Sequence, residues 1–289
     1  MSTENEETGI KPSPARKPKN VIVVGMPRSG TSLAARVFAK KGYYVTSSEQ
    51  DELPTGDEQN PFGYWEAESL IKLNVEILNR AGFPFHNTWT YGPIRPEHLA
   101  KIHGLDRTEV HRAYLNTYDE HSPWVWKDPR LCYTLAYWWP MMNPNTTSVL
   151  LLRRNPDEIY QSFRRMNWRS SSEQDKKDVF LRIDDHLKAA EQAIGKYNIP
   201  YIEINYQEYL STPDATSTRI AEFFSIELEA SDLNVRSELN HSSARGLLAT
   251  NIAKLMSHIS PRSLQVIKRL VPRKFIYALY PEKKLARKE

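Results

Sequence analysis

The sequence predicts an α/β fold in which a parallel sheet is covered on both faces by helices. Three observations predict it. Segments of strand length recur along the chain, apolar runs at 21–25 and 148–153 and a further strand at 201–205. Segments with helical spacing separate them, the pattern of a parallel sheet with helical connections. The first run ends in a loop of small residues that opens directly into a helix.

The elements follow in order. Residues 21–25 form a strand, and 31–41 a helix that Gly42 stops. A second strand is expected at 43–47. Residues 51–63, rich in Pro, Gly and Asp, form a loop. Helical spacing returns over 66–81 through Leu70, Leu73, Ile77 and Leu78, and ends near Gly82. After a loop over 83–96, helices are expected at 96–103 and 107–118. Residues 124–126 read as a short buried strand, and 131–141 as a helix closed by Pro140 and Pro144. Residues 148–153 form a second central strand. Pro156 then occupies the first turn of a helix over 156–166. A long amphipathic helix spans 175–197, a strand 201–205 and a helix 213–224. The chain shows no repeat and no low-complexity tract.

With 289 residues and 40% apolar composition, the chain can bury one large core and carry an appendage. Residues 1–19 read as a disordered polar leader, 20–247 as the main domain and 248–289 as a basic helical extension. Cys132 is the single cysteine, which excludes an intramolecular disulfide, argues against a Cys-based zinc site and suits a reducing cytosol. No apolar run approaches the roughly 20 residues needed to span a bilayer. Net charge is +4, but residues 254–289 hold ten basic and two acidic residues, a charge of +8. The remaining 29 basic and 33 acidic residues leave −4 on the body. The segment could meet an anionic membrane surface or an acidic partner; a solvated helix pair competes on equal terms.

Val21-Ile22-Val23-Val24-Gly25-Met26-Pro27-Arg28-Ser29-Gly30-Thr31-Ser32 lays out a strand, a phosphate-cradling loop and a helix N-terminus. Backbone N–H groups and the helix dipole favour an anion there. The pattern approaches G-x-x-x-x-G-K-[ST], with Gly25 and Gly30 at the required spacing. Thr31 stands where that pattern has Lys, Ser32 keeps the hydroxyl, and the cation is Arg28 inside the loop. A chain lacking this Lys is a poor ATPase candidate. A bare structural turn would need neither the cation nor three hydroxyls.

A second anion site follows the strand at 148–153. Arg154 offers a planar fork suited to a phosphate, and Ser162, eight residues on, adds a hydroxyl. Alone, Arg153 and Arg154 could merely pair with Asp157 or Glu158. Beside the first loop, they suggest a nucleotide phosphorylated at two places.

In these residues the chain resembles the sulfotransferases that use 3′-phosphoadenosine-5′-phosphosulfate (PAPS). In that family a Pro-Lys/Arg-Ser-Gly-Thr-Ser/Thr loop holds the 5′-phosphosulfate, matched by Arg28, Ser29, Gly30, Thr31 and Ser32 after Pro27. A strand-ending Arg, with Ser eight residues later, holds the 3′-phosphate, matched by Arg154 and Ser162. Residues 60–66 (Asn-Pro-Phe-Gly-Tyr-Trp-Glu) and 126–130 (Trp-Lys-Asp-Pro-Arg) resemble segments common in bacterial members. The resemblance covers roughly residues 20–245 and implies a P-loop-type three-layer sandwich, its central parallel sheet flanked by helices. It departs from the cytosolic phenol and steroid enzymes. Their Lys-Thr-His run is replaced by Lys127-Asp128-Pro129, and Arg245-Gly246 only partly stands in for the C-terminal Arg-Lys-Gly motif. The relatives implied are bacterial or carbohydrate-type.

The resemblance implies sulfuryl transfer without a metal. Arg28 and Lys127 form the expected electrostatic pair. Glu66 is the expected base, since related glycan and tyrosyl-protein sulfotransferases use a Glu. It competes with a plain helix N-terminal carboxylate, and Lys127 with a salt bridge to Asp128. Asp128 and His86 are reserve bases, Asp128 with a competing role as partner of Arg130. His98, His103 and His111 read as surface residues without zinc-site spacing. Trp124, Trp126, Trp138 and Trp139 read as core, and the basic segment has few interleaved aromatics, which argues against nucleic-acid binding. The expected acceptor is a hydroxyl of a glycan or glycolipid, in a cytoplasmic enzyme with optional peripheral membrane contact. Two alternatives compete: a P-loop small-molecule kinase using ATP and magnesium, and a non-catalytic nucleotide-binding or adaptor protein.

Overall fold

The structure, a computed structural model, describes residues 19–46, 53, 56, 60, 62–83 and 94–233. Expectations for the leader, most of the 51–61 loop, the 84–93 loop with His86, Arg245-Gly246 and the basic segment lie outside these residues.

Four strands form one parallel sheet in the order β2-β1-β3-β4: β1 Asn20–Gly25, β2 Val125–Lys127, β3 Thr147–Arg153 and β4 Tyr201–Asn205. Val21 to Val24 and Val149 to Leu152 have no exposed surface, as expected of central parallel strands. Side chains alternate across the sheet. Ile22, Val24, Val149 and Leu151 enter one large core. Helices α2 (Glu68–Arg80), α3 (Pro96–Gly104), α4 (Glu109–Glu120), α5 (Leu131–Trp138) and α7 (Glu173–Tyr197) contribute to that core. By alternation Val21 and Val23 face the other layer. There α1 (Thr31–Lys40) packs on β1 and β2, and its Phe38 ring meets Phe224 of α9 (Pro213–Phe224) at 5.1 Å. The sheet therefore lies between two helical layers, as the resemblance implied. A smaller core joins Met26 to Ile159 and Phe163 of α6 (Pro156–Arg165) and to Val179 and Ile183 of α7.

Local chemistry explains the ends. Asn155 Oδ1 accepts from the Asp157 N–H and Pro156 fixes the first turn of α6. Ser172 caps α7, which closes on Asn198 in the left-handed conformation.

Three expectations need correction. Over the described residues 43–46, the expected strand reduces to one bridge, Tyr44 to Trp124, beside the edge strand β2. Glu66 lies before α2 instead of opening it. Two short helices were not anticipated, α8 (Tyr206–Ser211) and α10 (Ala230–Leu233). The capping box between Asn205 and Glu208 was the available signal for α8.

Candidate active site

All four strands run the same way, so their C-terminal ends share one edge of the sheet, where α/β folds gather ligands. The loop after Gly25, the β2 end at Lys127, the β3 end before Arg154 and the β4 end before Tyr206 all lie there.

The loop between β1 and α1 is shaped by close approach. A Cβ on Gly25 would lie 2.7 Å from the Leu152 carbonyl oxygen, and one on Gly30 would lie 2.5 Å from the Tyr206 ring. Gly30, at φ 91, caps α1 without any side-chain bond, and the first turn of α1 carries no acidic residue. The leading N–H groups of α1 are thus left for an anion. Ser29 Oγ is buried with no hydrogen-bond partner among the described residues.

The two predicted anion motifs are knitted together. Arg28, held at φ 70, donates from Nε to Ser162 Oγ at 2.9 Å. Arg154 donates from Nη1 to the Arg28 carbonyl oxygen at 2.9 Å and from Nε to Glu158 at 2.8 Å. Its guanidinium lies 4.1 Å from the centre of the Tyr206 ring. Arg28, expected to act with Lys127 as an electrostatic pair, lines the same cavity as Lys127 while its Nε bonds to the second motif.

Sequence reasoning missed Arg165. It lies three residues after Ser162, one helical turn along the same side of α6. Burial, then the charges of Arg154 and Arg28, push its guanidinium down to about 10, against the pull of Glu158. Its Nη1 is buried and has no hydrogen-bond partner among the described residues. Three neighbouring guanidinium groups, one of them paired with Glu158 and one with an orphaned donor, fit a multiply charged anion.

Buried Lys127 forms an ion pair with half-buried Glu66, so Lys127 pairs with Glu66 and not with Asp128. Lys127 is 4% exposed at the end of β2. Burial pushes the Glu66 carboxyl above its ordinary range; Lys127 pulls it down and Asp128 pushes it up. The turn before Glu66 is tied down. Trp65 Nε1 donates to the Phe62 carbonyl and Asn60 Nδ2 to the Gly63 carbonyl, both at 2.7 Å. Trp65 sits at φ 57, a costly conformation for a bulky residue. The Phe62 ring lies 4.1 Å from the guanidinium of Arg36 on α1, which links this turn to the helix of the phosphate loop.

A cavity of about 570 Å³ brings these parts together. Pro27, Arg28, Thr31 and Ser32 line it from the loop, Glu66 and Lys127 from the ion pair. Such a site holds a proton acceptor and a cation beside an anion cradle. Asp128, the expected reserve base, is fully buried and engaged at both oxygens. Oδ1 accepts from the Arg130 N–H at 3.0 Å and Nη1 at 2.9 Å, and Oδ2 accepts from Asn74 Nδ2 at 2.9 Å. Asn74 Oδ1 in turn accepts from Thr134 and Trp138. His111, expected at the surface, is buried and within 2.6 Å of Thr108 Oγ1; His98 and His103 are half-buried. Cys132 Sγ accepts from the Gly25 N–H at 3.2 Å, and burial pushes the thiol up to about 12. Among the described residues, no helix is long and apolar enough to cross a membrane.

A parallel sheet with a glycine loop, an arginine cluster and a carboxylate–lysine pair at one edge places an anion cradle beside a proton acceptor in an α/β fold. Residues 18–230 match the sulfotransferase family, and the chain belongs to it. Members of that family use PAPS as donor. Among solved structures, the chain is similar to a sulfotransferase domain from the curacin biosynthetic pathway, with 14% identity, TM-score 0.44, and 79% of this chain and 82% of that one covered. It is similar to a sulfotransferase domain from the Synechococcus PCC 7002 olefin synthase, with 18% identity, TM-score 0.43 and coverage of 87% and 85%. Sulfotransferase STF1 from Mycobacterium tuberculosis H37Rv gives 16% identity, TM-score 0.41 and coverage of 78% and 76%. No curated protein matches the sequence. Membership rests on the family match.

Proposed function

We propose that this enzyme moves a sulfuryl group from PAPS to an acceptor hydroxyl of a glycan or glycolipid, in the cytoplasm. The observation that carries the reading is the largely buried Glu66–Lys127 pair opening into the same cavity as the phosphate loop. In it, the loop from Arg28 to Ser32 and the N-terminus of α1 hold the 5′-phosphosulfate. Arg154, Ser162 and Arg165 hold the 3′-phosphate. Glu66 accepts the acceptor hydroxyl proton as the acceptor oxygen bonds to sulfur. The bond from sulfur to the phosphate oxygen breaks, and Lys127 and Arg28 stabilise the charge left on that oxygen. The products are a sulfate ester and adenosine 3′,5′-bisphosphate. Positioning and electrostatics do most of this work, as in phosphoryl transfer, and losing one such donor costs about 3 kcal/mol of barrier.

Calorimetric titration with adenosine 3′,5′-bisphosphate, ADP and magnesium–ATP tests the donor. Tight binding of the bisphosphate is expected, and much weaker binding by Arg154→Ala. Preference for magnesium–ATP would move the protein to the kinases. Glu66→Ala and Lys127→Ala are expected to bind the bisphosphate while turnover collapses. Retained turnover in both would remove these residues from the mechanism.

A peripheral contact of residues 254–289 with anionic membrane is part of the proposal and rests on their +8 charge. Deleting them is expected to abolish sedimentation with anionic vesicles; unchanged sedimentation would sink the idea.

A further inference from the structure

We infer that the acceptor carries an alkyl or aryl segment next to its reacting hydroxyl, and that one face of α2 grips that segment. The inference rests on the proposed transfer reaction and narrows its acceptor.

Helix α2 has two working faces. Leu70, Asn74, Ile77 and Leu78 are buried. A second stripe, Glu68, Ile71, Lys72 and Val75, follows the three- and four-residue spacing of one helix side and lines the cavity. Its two apolar members, Ile71 and Val75, are half-buried, and Val75 also packs against the main core. Tyr64 and Trp168 add two aromatic rings to the lining.

Most charged groups of the cavity are engaged elsewhere, Arg130 with Asp128 and the exposed Glu68 and Lys72 with each other. Arg28, Thr31, Ser32, Glu66 and Lys127 belong to the proposed transfer machinery. The Glu68–Lys72 pair, at 2.8 Å, lies on the α2 wall. A polyhydroxyl chain laid on this wall would exchange its bonds to water for contacts with methyl groups, which is unfavourable for every hydroxyl left unmade. An alkyl chain or an aryl ring would bury apolar surface against Ile71, Val75 and Trp168 and leave only its hydroxyl to face Glu66. The cavity of about 570 Å³ is shared with the phosphosulfate end of the donor, so the space left along α2 suits a short apolar segment. The wall therefore favours a glycolipid-like or aryl-linked acceptor over an extended glycan.

The test uses the full chain saturated with adenosine 3′,5′-bisphosphate. It is titrated with n-octyl β-glucoside below its micelle concentration, phenyl β-glucoside, glucose and maltotetraose. The octyl and phenyl glucosides are expected to bind at least about tenfold more tightly than the two free sugars. Ile71→Asn is expected to weaken the octyl glucoside about tenfold while the bisphosphate affinity stays unchanged. Trp168→Ala, the second variant, carries the same expectation for the phenyl glucoside. Equal or tighter binding of maltotetraose, no binding of either apolar glucoside, or no effect of both substitutions would overturn the inference. Failure of the wild-type chain to bind the bisphosphate would instead overturn the transfer reading itself.

Discussion

At Glu66, burial and charge compete over one proton. Burial raises its pKa most, Asp128 adds to that, and Lys127 opposes it, with a net rise. A base with a raised pKa takes an alcohol proton more readily, provided it is ionised when the acceptor arrives. The acid limb of kcat/KM is therefore expected above the ordinary carboxylate range. Glu66→Gln is expected to lower kcat about 100-fold or more and to remove that limb. Lys127→Met deletes the charge that holds Glu66 down, so in the residual activity the limb should move to higher pH. A limb that stays in place in both variants would mean that another group titrates.

At the level of elements, what was legible depended on whether the cause was local. The span of α9 could be read because Pro213 opens the helix, and that of β4 because Ile202 and Ile204 alternate with polar residues after Pro200. The Arg154–Ser162 spacing could be read because one Pro-initiated helix carries it from β3. Residues 43–47 have strand character, yet a strand needs a partner, and Tyr44 finds one only in Trp124. The left-handed turn at Trp65 was hidden because that conformation is ordinarily marked by Gly or Asn, and the bonds holding it are made only on folding. The direction of Arg28 depends on a φ of 70 and on a serine 134 positions away, neither of which sequence spacing reveals. Other signals were present and went unused. Arg165 follows Ser162 by one turn, and His111, Leu115 and Tyr118 share one buried stripe of α4. Asn74 stands on the apolar face of α2, where only a buried polar partner such as Asp128 can satisfy it.

Across the whole molecule, the floor of the site is braced by a buried polar framework that sets how the fold answers acid. Asp128 ties the end of β2 to Asn74 on α2 and to Arg130, while Tyr133 on α5 meets His186 on α7. His186 has no exposed surface, and burial pushes it down to about 4, with the Arg182 and Arg130 charges adding to the push. The Arg182 carbonyl and Asp128 pull the other way. In the unfolded chain the same group titrates near 6.5. The folded state thus keeps His186 neutral where the unfolded state has already taken up a proton. Its contribution to stability is complete above pH 6.5 and is lost as pH falls from 6.5 toward 4, a loss of about 3 kcal/mol. Burial lowers His111 and His103 as well, with the same sign. Glu66, raised, works in the opposite sense, since its folded form takes a proton more readily than the unfolded chain. Between pH 6.5 and 5 most ordinary carboxylates are still ionised in both states, so histidine dominates that window. Urea midpoints taken across it should fall with pH in the wild type. In His186→Gln they should start lower and fall less steeply; an unchanged slope would place the acid sensitivity elsewhere in the fold.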